Sequence, residues 1–243
     1  MKKIFAGLAV CTVLTAAMLS GCSTAAETED NSYIVEINGE GITREEFNIY
    51  MYETQKSFEE LGGTDIWETD FDGRSAETVA KDNTLSTISL VKFAEETAAD
   101  AGIELDDETA AQAEESAQEM YDSLTENEKE EIGADLELYK KVMRENALYN
   151  EVYKYIVKDY VVSDEDYDTY YEEHKDTLTE QYKQANGISD EETVDEEAVK
   201  EYGRDNYEDY MKQMYFSKEF EKWENEADIV KNASLWNTVT LIR

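Results

Sequence analysis

The chemically most reactive side chains of this chain do not form a recognisable catalytic pattern. His174 is the only histidine among the 243 residues, and it stands in a charged stretch at the end of a predicted short helix. No Gly-x-Ser-x-Gly sequence is present to frame a nucleophile–histidine–acid triad. The 59 Asp and Glu residues offer many carboxylate pairs, but none lies in an apolar pattern that would raise a carboxyl pKa. We interpret His174 as a surface residue and expect no catalytic residue.

One acidic segment resembles part of a cation site. Residues 68–73 place acids at positions one, three and five and Gly at position six of an EF-hand loop. Position twelve, which requires a bidentate Glu, is Val79. We interpret the segment as a loop, with weak cation binding as the open alternative. A zinc site lacks N and S ligands and a Gly-rich phosphate loop is missing, so the sequence predicts no metal and no cofactor.

Cys22 carries the clearest chemical signal in the sequence. Two Lys residues precede an uncharged apolar stretch that is too short to span a bilayer, and this stretch ends in Leu-Ser-Gly-Cys. That tetrapeptide is typical of a bacterial lipobox, in which the Cys is acylated; an ordinary signal peptide with an incidental Cys is the alternative. The sequence predicts a signal peptide at 1–21 and a lipidated flexible tether at 22–32.

Charge and cysteine content limit the possible partners and the possible chemistry of the protein. Without residues 1–21, 20 basic residues face 59 acidic ones, a net charge near −39. Nucleic acid is excluded because phosphate binding needs clustered Lys and Arg. The charge is interpreted as a solvated surface, with capture of cationic partners as the alternative. Cys11 leaves with the signal peptide and lipid consumes Cys22, so no thiol or disulfide chemistry is expected.

The spacing of apolar residues predicts a mainly helical protein. Proline, the main helix breaker, does not occur in the chain, and apolar residues recur at three-to-four spacing between acidic ones. Capping boxes are predicted for Thr43 with Glu46 and for Thr125 with Glu128. Helices are predicted over 43–62, 76–101, 106–124, 125–132, 135–160, a short stretch from 163, and 197–227, with loops at 64–74 and 183–197.

A small β element is predicted to join the two ends of the chain. Residues 33–37 form a strand, and Asn38-Gly39 is a tight-turn signal. Residues 235–242 alternate in hydrophobicity as a second strand, which we expect to pair with residues 33–37. Residues 33–243 are therefore predicted to form one elongated, multi-helix domain.

Three segments in order resemble a known family. The first is INGEGITREEF at 37–47, the second is AGIELDDE at 101–108, and the third is YVVSDEDY followed by YYEEH within 160–174. They are similar to the opening, middle and final helical segments of SurA-like chaperones and PrsA-like foldase lipoproteins. The resemblance implies a helical chaperone domain that holds unfolded polypeptide. Those foldases carry a parvulin-type prolyl isomerase domain after the last segment, whereas here only the acidic stretch 183–197 occupies that place. Isomerase activity is therefore not carried over.

The resemblance and the lipobox together predict a membrane-anchored extracytoplasmic chaperone that binds unfolded or exported polypeptides, on a Gram-positive-type cell surface. Alternatives are a non-enzymatic scaffold lipoprotein with one specific protein partner and a residual prolyl isomerase. A small-molecule substrate is not expected. Met and Tyr suit adaptable contact with varied apolar clients, although core packing is the alternative role for most of them. The candidate client-contacting residues are Phe47, Tyr50, Met51, Met120, Tyr121, Met143, Tyr149, Tyr153, Met211 and Met214.

Overall fold

The computed structural model describes residues 32–189 and 191–242, which are mainly helical, as predicted. The prediction for Cys22 and those for the signal peptide and most of the tether lie outside the described residues. Within them, no helix combines the length and the apolarity needed to cross a membrane. The helices are α1 (Arg44–Gly62), α2 (Ala76–Ala101), α3 (Asp107–Ser123), α4 (Glu126–Ile132), α5 (Leu136–Val157), α6 (Asp164–Asn186), α7 (Glu196–Glu226) and α8 (Ala233–Trp236).

The strands form two small antiparallel sheets. One contains β1 (Tyr33–Ile37), β2 (Glu40–Thr43) and β5 (Ile229–Lys231), in the order β2-β1-β5. Asn38 and Gly39 turn β1 into β2 with positive φ values of 51° and 84°, as a tight hairpin turn requires. The other sheet pairs β3 (Asp70–Phe71) with β4 (Arg74–Ser75), so the predicted loop 64–74 contains a hairpin after a short 3-10 helix.

Side-chain and glycine caps set most helix boundaries close to their predicted positions. Thr43, Ser75, Asp106 and Ser163 accept backbone N–H groups at the starts of α1, α2, α3 and α6. Thr125 and Glu128 form the predicted reciprocal capping box of α4. At the other capping box predicted, Thr43 accepts from the Glu46 N–H, but the Glu46 carboxylate binds Lys141. Glycines 102, 133 and 187 end α2, α4 and α6 in the left-handed conformation.

The length of α6 and the pairing partner of β1 differ from the sequence prediction. The helix predicted to be short after residue 163 runs to Asn186, because Leu178 is buried in a core and Gly187 then stops the helix. The pairing of β1 with a C-terminal strand is confirmed, but the partner is β5 and not residues 235–242. Asn232 caps α8 by accepting from the Leu235 N–H, which places the start of that segment in a helical turn.

The chain divides into two compact units. Unit 1 comprises the described residues up to 152 and from 223 onward, and unit 2 comprises residues 153–222. In unit 1, α1 packs along α2 and also against α4 and β1. Its core contains 23 buried apolar residues, including Ile34, Phe47, Ile88 and Val142. The core of unit 2 is smaller: Val162, Tyr167, Tyr171, Leu178 and Val199.

Candidate functional site

Unit 2 exposes most of the large apolar side chains that reach solvent. Six such side chains are exposed in the described part of the chain, and only Leu61 and Phe71 lie in unit 1. The four in unit 2 are Tyr155, Val161, Tyr210 and Met214. Tyr210 and Met214 are 56% and 39% exposed and lie four residues apart on α7. Side chains with that spacing are neighbours on one helix face, so they form a small apolar surface.

Tyrosine rings join α6 to α7 and so position this surface. The Tyr170 and Tyr207 rings stack with centroids 4.3 Å apart, and the Tyr167 ring lies 5.9 Å from Tyr207. The buried Tyr167 hydroxyl donates a hydrogen bond to the Lys200 carbonyl. Unit 2 contains 11 of the 17 tyrosines in the chain. Aromatic pairs of this kind add stability beyond the area that they bury, which compensates for a small aliphatic core.

Gly203 allows the two helices to approach closely. A Cβ at this position would lie 2.8 Å from the Tyr167 hydroxyl oxygen and 2.9 Å from Leu178 Cδ1. Both distances are too short for a carbon atom, so a larger residue would displace the buried Tyr167 and Leu178 side chains that pack α6 on α7. A helix-interior glycine is unfavourable by itself. Its presence here is therefore explained by the close packing that it permits.

Three tyrosines of unit 2 have raised pKa values, and two lysines lie near the ring of one of them. Burial raises the pKa of Tyr167 to about 12, and burial also raises the pKa values of Tyr171 and Tyr207. The Lys200 and Lys175 ammonium groups lie 5.6 and 5.7 Å from the centre of the Tyr171 ring. At such distances the negative face of the ring attracts the cation. Because Tyr171 is itself buried, these cation–ring contacts add to the packing of unit 2.

Unit 1 contains a different polar cluster, centred on a buried lysine. The Lys92 Nζ atom lies 2.7 Å from a Glu40 oxygen, 2.6 Å from Glu95, 3.8 Å from Glu145 and 3.9 Å from Glu46. The Lys92 side chain is only 3% exposed. These contacts connect β2, α1, α2 and α5 through one ammonium group. Carboxylates around a buried cation are a stabilising arrangement only while the cation is present.

Lys141 completes this ionic cluster. Its Nζ atom lies 3.1 Å from both Glu46 and Glu145. Burial raises the pKa of Glu145 to about 7, with repulsion from Glu95 and Glu46 adding to it and attraction by Lys92 and Lys141 opposing it. No nucleophile or histidine belongs to these contacts. We therefore interpret the cluster as a structural element of unit 1.

The candidate client-contacting residues fall into three groups. Phe47, Tyr50, Met51 and Met143 are buried in the core of unit 1 and present no surface to a partner. The next group is half-buried: Met120 and Tyr121 pack on the unit 1 core, Met211 packs on the unit 2 core, and the others in it are Tyr149 and Tyr153. Only Met214 is exposed. Its neighbour Tyr210 was not selected from the sequence, although its spacing from Met214 was a visible signal.

The other candidate chemistry of the sequence has structural roles. His174 is exposed, with its ring 4.5 Å from that of Tyr170. In the acidic segment 68–73, the Asp70 carboxylate accepts the Gly73 N–H at 2.6 Å and so stabilises the β3–β4 turn. Among the described residues, no three His, Cys, Asp or Glu side chains converge as they would around a metal ion.

Comparison with known proteins finds one matching family and one related foldase. The sequence model of the SurA-like N-terminal domain matches residues 1–165. The Foldase protein PrsA of Caldanaerobacter subterraneus subsp. tengcongensis is 24% identical over 198 residues. That alignment covers 80% of this chain and 59% of the relative, so the chain spans about three fifths of the relative's length. No solved structure gives a significant match.

The family match covers more than half of the chain and ends where α6 begins. It includes the β1–β2 hairpin, the helices α1 to α5 and the resembling segments 37–47 and 101–108, together with the start of the third. Most of unit 2, with the exposed face of α7, lies beyond the matched residues. The predicted resemblance is therefore confirmed, and this chain belongs to the SurA-like N-terminal domain family.

Proposed function

We propose that this protein is a membrane-anchored extracytoplasmic chaperone that binds unfolded or exported polypeptides and does not isomerise prolyl bonds. Membership of this family and similarity to a foldase protein support a role in protein folding. The observation that carries the proposal is the uncovered face of α7 with Tyr210 and Met214. Both side chain types make low-affinity contacts with varied apolar groups. The acidic surface keeps complexes with unfolded chains soluble.

Acylation of Cys22 is the proposed means of attachment. The Leu-Ser-Gly-Cys sequence after a short apolar stretch supports it. The strong negative charge of the chain would be repelled by an anionic membrane surface, so the lipid has to supply the binding energy. Replacing Cys22→Ser should move the protein from the membrane fraction to the soluble fraction and abolish labelling by a radioactive fatty acid. Unchanged fractionation would overturn the lipid anchor.

The lack of isomerase activity is supported by the connection between α6 and α7. Helix α6 ends at Asn186 and α7 begins at Glu196, so nine residues separate them at the place where the family resemblance implies a parvulin-type domain. A stretch of that length is far too short to fold as a domain of its own.

An aggregation assay tests the function. The purified chain without residues 1–21, with Cys22→Ser, should slow the aggregation of chemically denatured lysozyme diluted into buffer at several-fold molar excess. It should leave the rate of proline-limited refolding of a model ribonuclease unchanged. Serum albumin at equal concentration controls for crowding. No suppression of aggregation would overturn the chaperone proposal, and faster refolding would overturn the claim about isomerase activity. Crosslinking in membranes distinguishes a chaperone, with many clients, from a scaffold with one recurrent partner.

A further inference from the structure

An uncharged groove lies between α6 and α7 in unit 2. Gln181, Gln184, Ala185, Tyr202 and Asn206 line this shallow, open depression, whose volume is about 510 Å³. None of the five side chains carries a charge at neutral pH. The surrounding unit is highly charged, with 21 acidic and 9 basic residues among residues 153–222 and hence a net charge near −12. An uncharged area of this kind in so acidic a unit needs an explanation.

The uncharged surface continues along the exposed face of α7. From Asn206 it passes through Tyr210, Gln213, Met214 and Ser217, all of which are exposed. The spacing of these positions places them on adjacent turns of one helix face. The groove and this face together form one strip, which we call the α7 strip. It combines side-chain amides with one exposed tyrosine and one exposed methionine.

The amides in the strip suit the recognition of a polypeptide backbone. Gln181 and Gln184 make no side-chain hydrogen bond to any of the described residues, and the Asn206 side chain donates to the Tyr202 carbonyl at 2.8 Å. A primary amide offers two donors and an acceptor, which is the hydrogen-bonding chemistry of the peptide group itself. Hydrogen bonds to main-chain atoms provide affinity without demanding a particular side-chain sequence. An unfolded client presents just such unpaired main-chain groups.

Acidic residues outnumber basic ones along the strip, as they do in unit 2 as a whole. Glu180, Glu201, Asp205 and Asp209 are next to strip residues in the chain and are exposed. Three lysines, Lys183, Lys212 and Lys218, are also next to strip residues. None of these four forms an ion pair with a cation in the described part of the chain. Unpaired carboxylates around an uncharged groove attract Lys and Arg side chains. They also repel a second copy of this acidic chain and an anionic membrane.

We propose that the α7 strip binds extended, basic segments of unfolded polypeptide. The amides pair with the main chain, Tyr210 and Met214 contact apolar side chains, and the bordering carboxylates attract Lys and Arg. This inference rests on the proposed chaperone function and specifies its client segments.

A direct binding measurement tests the proposal. The probe is a fluorescein-labelled unstructured peptide of alternating Lys, Asn and Phe, and its matched partner has Glu in place of Lys. Fluorescence anisotropy with the purified protein should show binding of the Lys peptide that weakens as salt is raised, and much weaker binding of the Glu peptide. The double variant Tyr210→Ser/Met214→Ser should weaken Lys peptide binding about tenfold. The variant Gln181→Ala/Gln184→Ala should weaken it several-fold for both peptides.

Matched controls separate the strip from general surface effects. Tyr155→Ser removes an exposed tyrosine of unit 2 outside the strip, and Gln112→Ala/Gln118→Ala removes two amides of α3. Both should leave binding unchanged, and circular dichroism should show equal helicity in all variants. If the unaltered protein binds neither peptide and also fails to suppress aggregation, both proposals are overturned. If it suppresses aggregation but strip and control variants bind alike, or if Lys and Glu peptides bind equally, only the strip is overturned.

Discussion

The two units bury different kinds of side chain. Unit 1 has a large, mostly aliphatic core with an ionic cluster around Lys92, and its hydrogen bonds connect distant parts of the chain. The core cluster of unit 2 contains five buried apolar residues, two of them tyrosines, and half-buried rings lie between α6 and α7. Local stability follows the amount of buried apolar surface. We therefore expect unit 1 to be the stable scaffold and unit 2 the part that opens and adapts more readily.

The difference has a functional meaning if unit 2 binds clients. A surface that accepts many sequences gains from side chains that repack easily, and tyrosine and methionine provide this. A scaffold gains from contacts that have only one good geometry. The two lysines and four glutamates clustered around the buried Lys92 ammonium group are one such set. Three experiments measure how far the two units differ in stability and which contacts cause the difference.

Removal of the central cation should have the largest effect. Lys92→Met leaves the buried carboxylates of Glu46 and Glu145 with only Lys141 as a partner. Loss of one partner from a buried ion pair costs about 3–5 kcal/mol of unfolding free energy. Urea denaturation measures this loss of unfolding free energy. Hydrogen exchange of α2 and α5 shows where the protein is destabilised. Lys140→Met removes a solvent-exposed pair with Glu137 and should leave the midpoint unchanged. Equal midpoints for the two variants would contradict a stabilising role for the cluster.

Filling the helix contact in unit 2 should have a smaller, local effect. Gly203→Val places methyl groups against the Tyr167 hydroxyl and Leu178, so these two buried side chains must shift and the packing of α6 on α7 is disturbed. Overpacking of this kind costs about 1–3 kcal/mol. Hydrogen exchange should become faster in α6 and α7 and stay the same in α1 and α2. Ser217→Ala, on the exposed face of α7, is the control. Faster exchange throughout unit 1 would mean that the two units do not differ in stability as we infer.

The stability of unit 1 should depend on pH because of the buried Glu145 carboxyl. The Glu145 carboxyl has a pKa of about 7 in the folded protein, because burial disfavours its charge, whereas an unfolded Glu has its usual pKa near 4.5. Between these values the folded state holds the extra proton, so the free energy of unfolding falls as pH rises from about 5 to 8. The fall should be on the order of 2 kcal/mol.

Chemical denaturation at several pH values measures this fall. Glu145→Gln should flatten the dependence between pH 5 and 8, whereas Glu137→Gln, at an exposed site, should keep it. The other groups around Glu145 are Glu40, Glu46, Glu95, Lys92, Lys141 and Tyr50. The lysines and Tyr50 have raised pKa values and lose no proton in this range. A fall that survives in Glu145→Gln would assign the pH dependence to another carboxyl.

Much of the fold follows from local sequence rules. The caps at Thr125 and Ser163, the Asn-Gly turn and the Gly102 stop depend on a few neighbouring residues, and each is visible in sequence. The conformation of residues 235–242, wrongly predicted as a strand, depends instead on distant partners. Both polar groups of the Gln55 amide bond the Ile242 backbone, at 2.8 and 2.9 Å, and hold this end of the chain without a strand ladder. A local alternation of hydrophobicity contains no information about such a contact.

The candidate site was harder to predict for the same reason. Tyr50 and Met51 have the composition expected of a client surface, but they are buried because α1 is covered on several sides. Periodicity shows which residues share a helix face and does not show which face another element covers. The Lys92 cluster was likewise hidden, since its six charged residues come from four separated elements and a highly charged sequence offers many possible pairs.

The central position of β1 in its sheet has a mechanical consequence. Val35 and Ile37 pair with β2 on one side and with β5 on the other. If lipid on Cys22 anchors the protein, as we propose, a pull from a bound or moving client is transmitted to the membrane through this strand. An edge strand would peel away by breaking one ladder of hydrogen bonds. Detaching β1 requires breaking two, so the anchor point is the segment of the sheet that best resists traction.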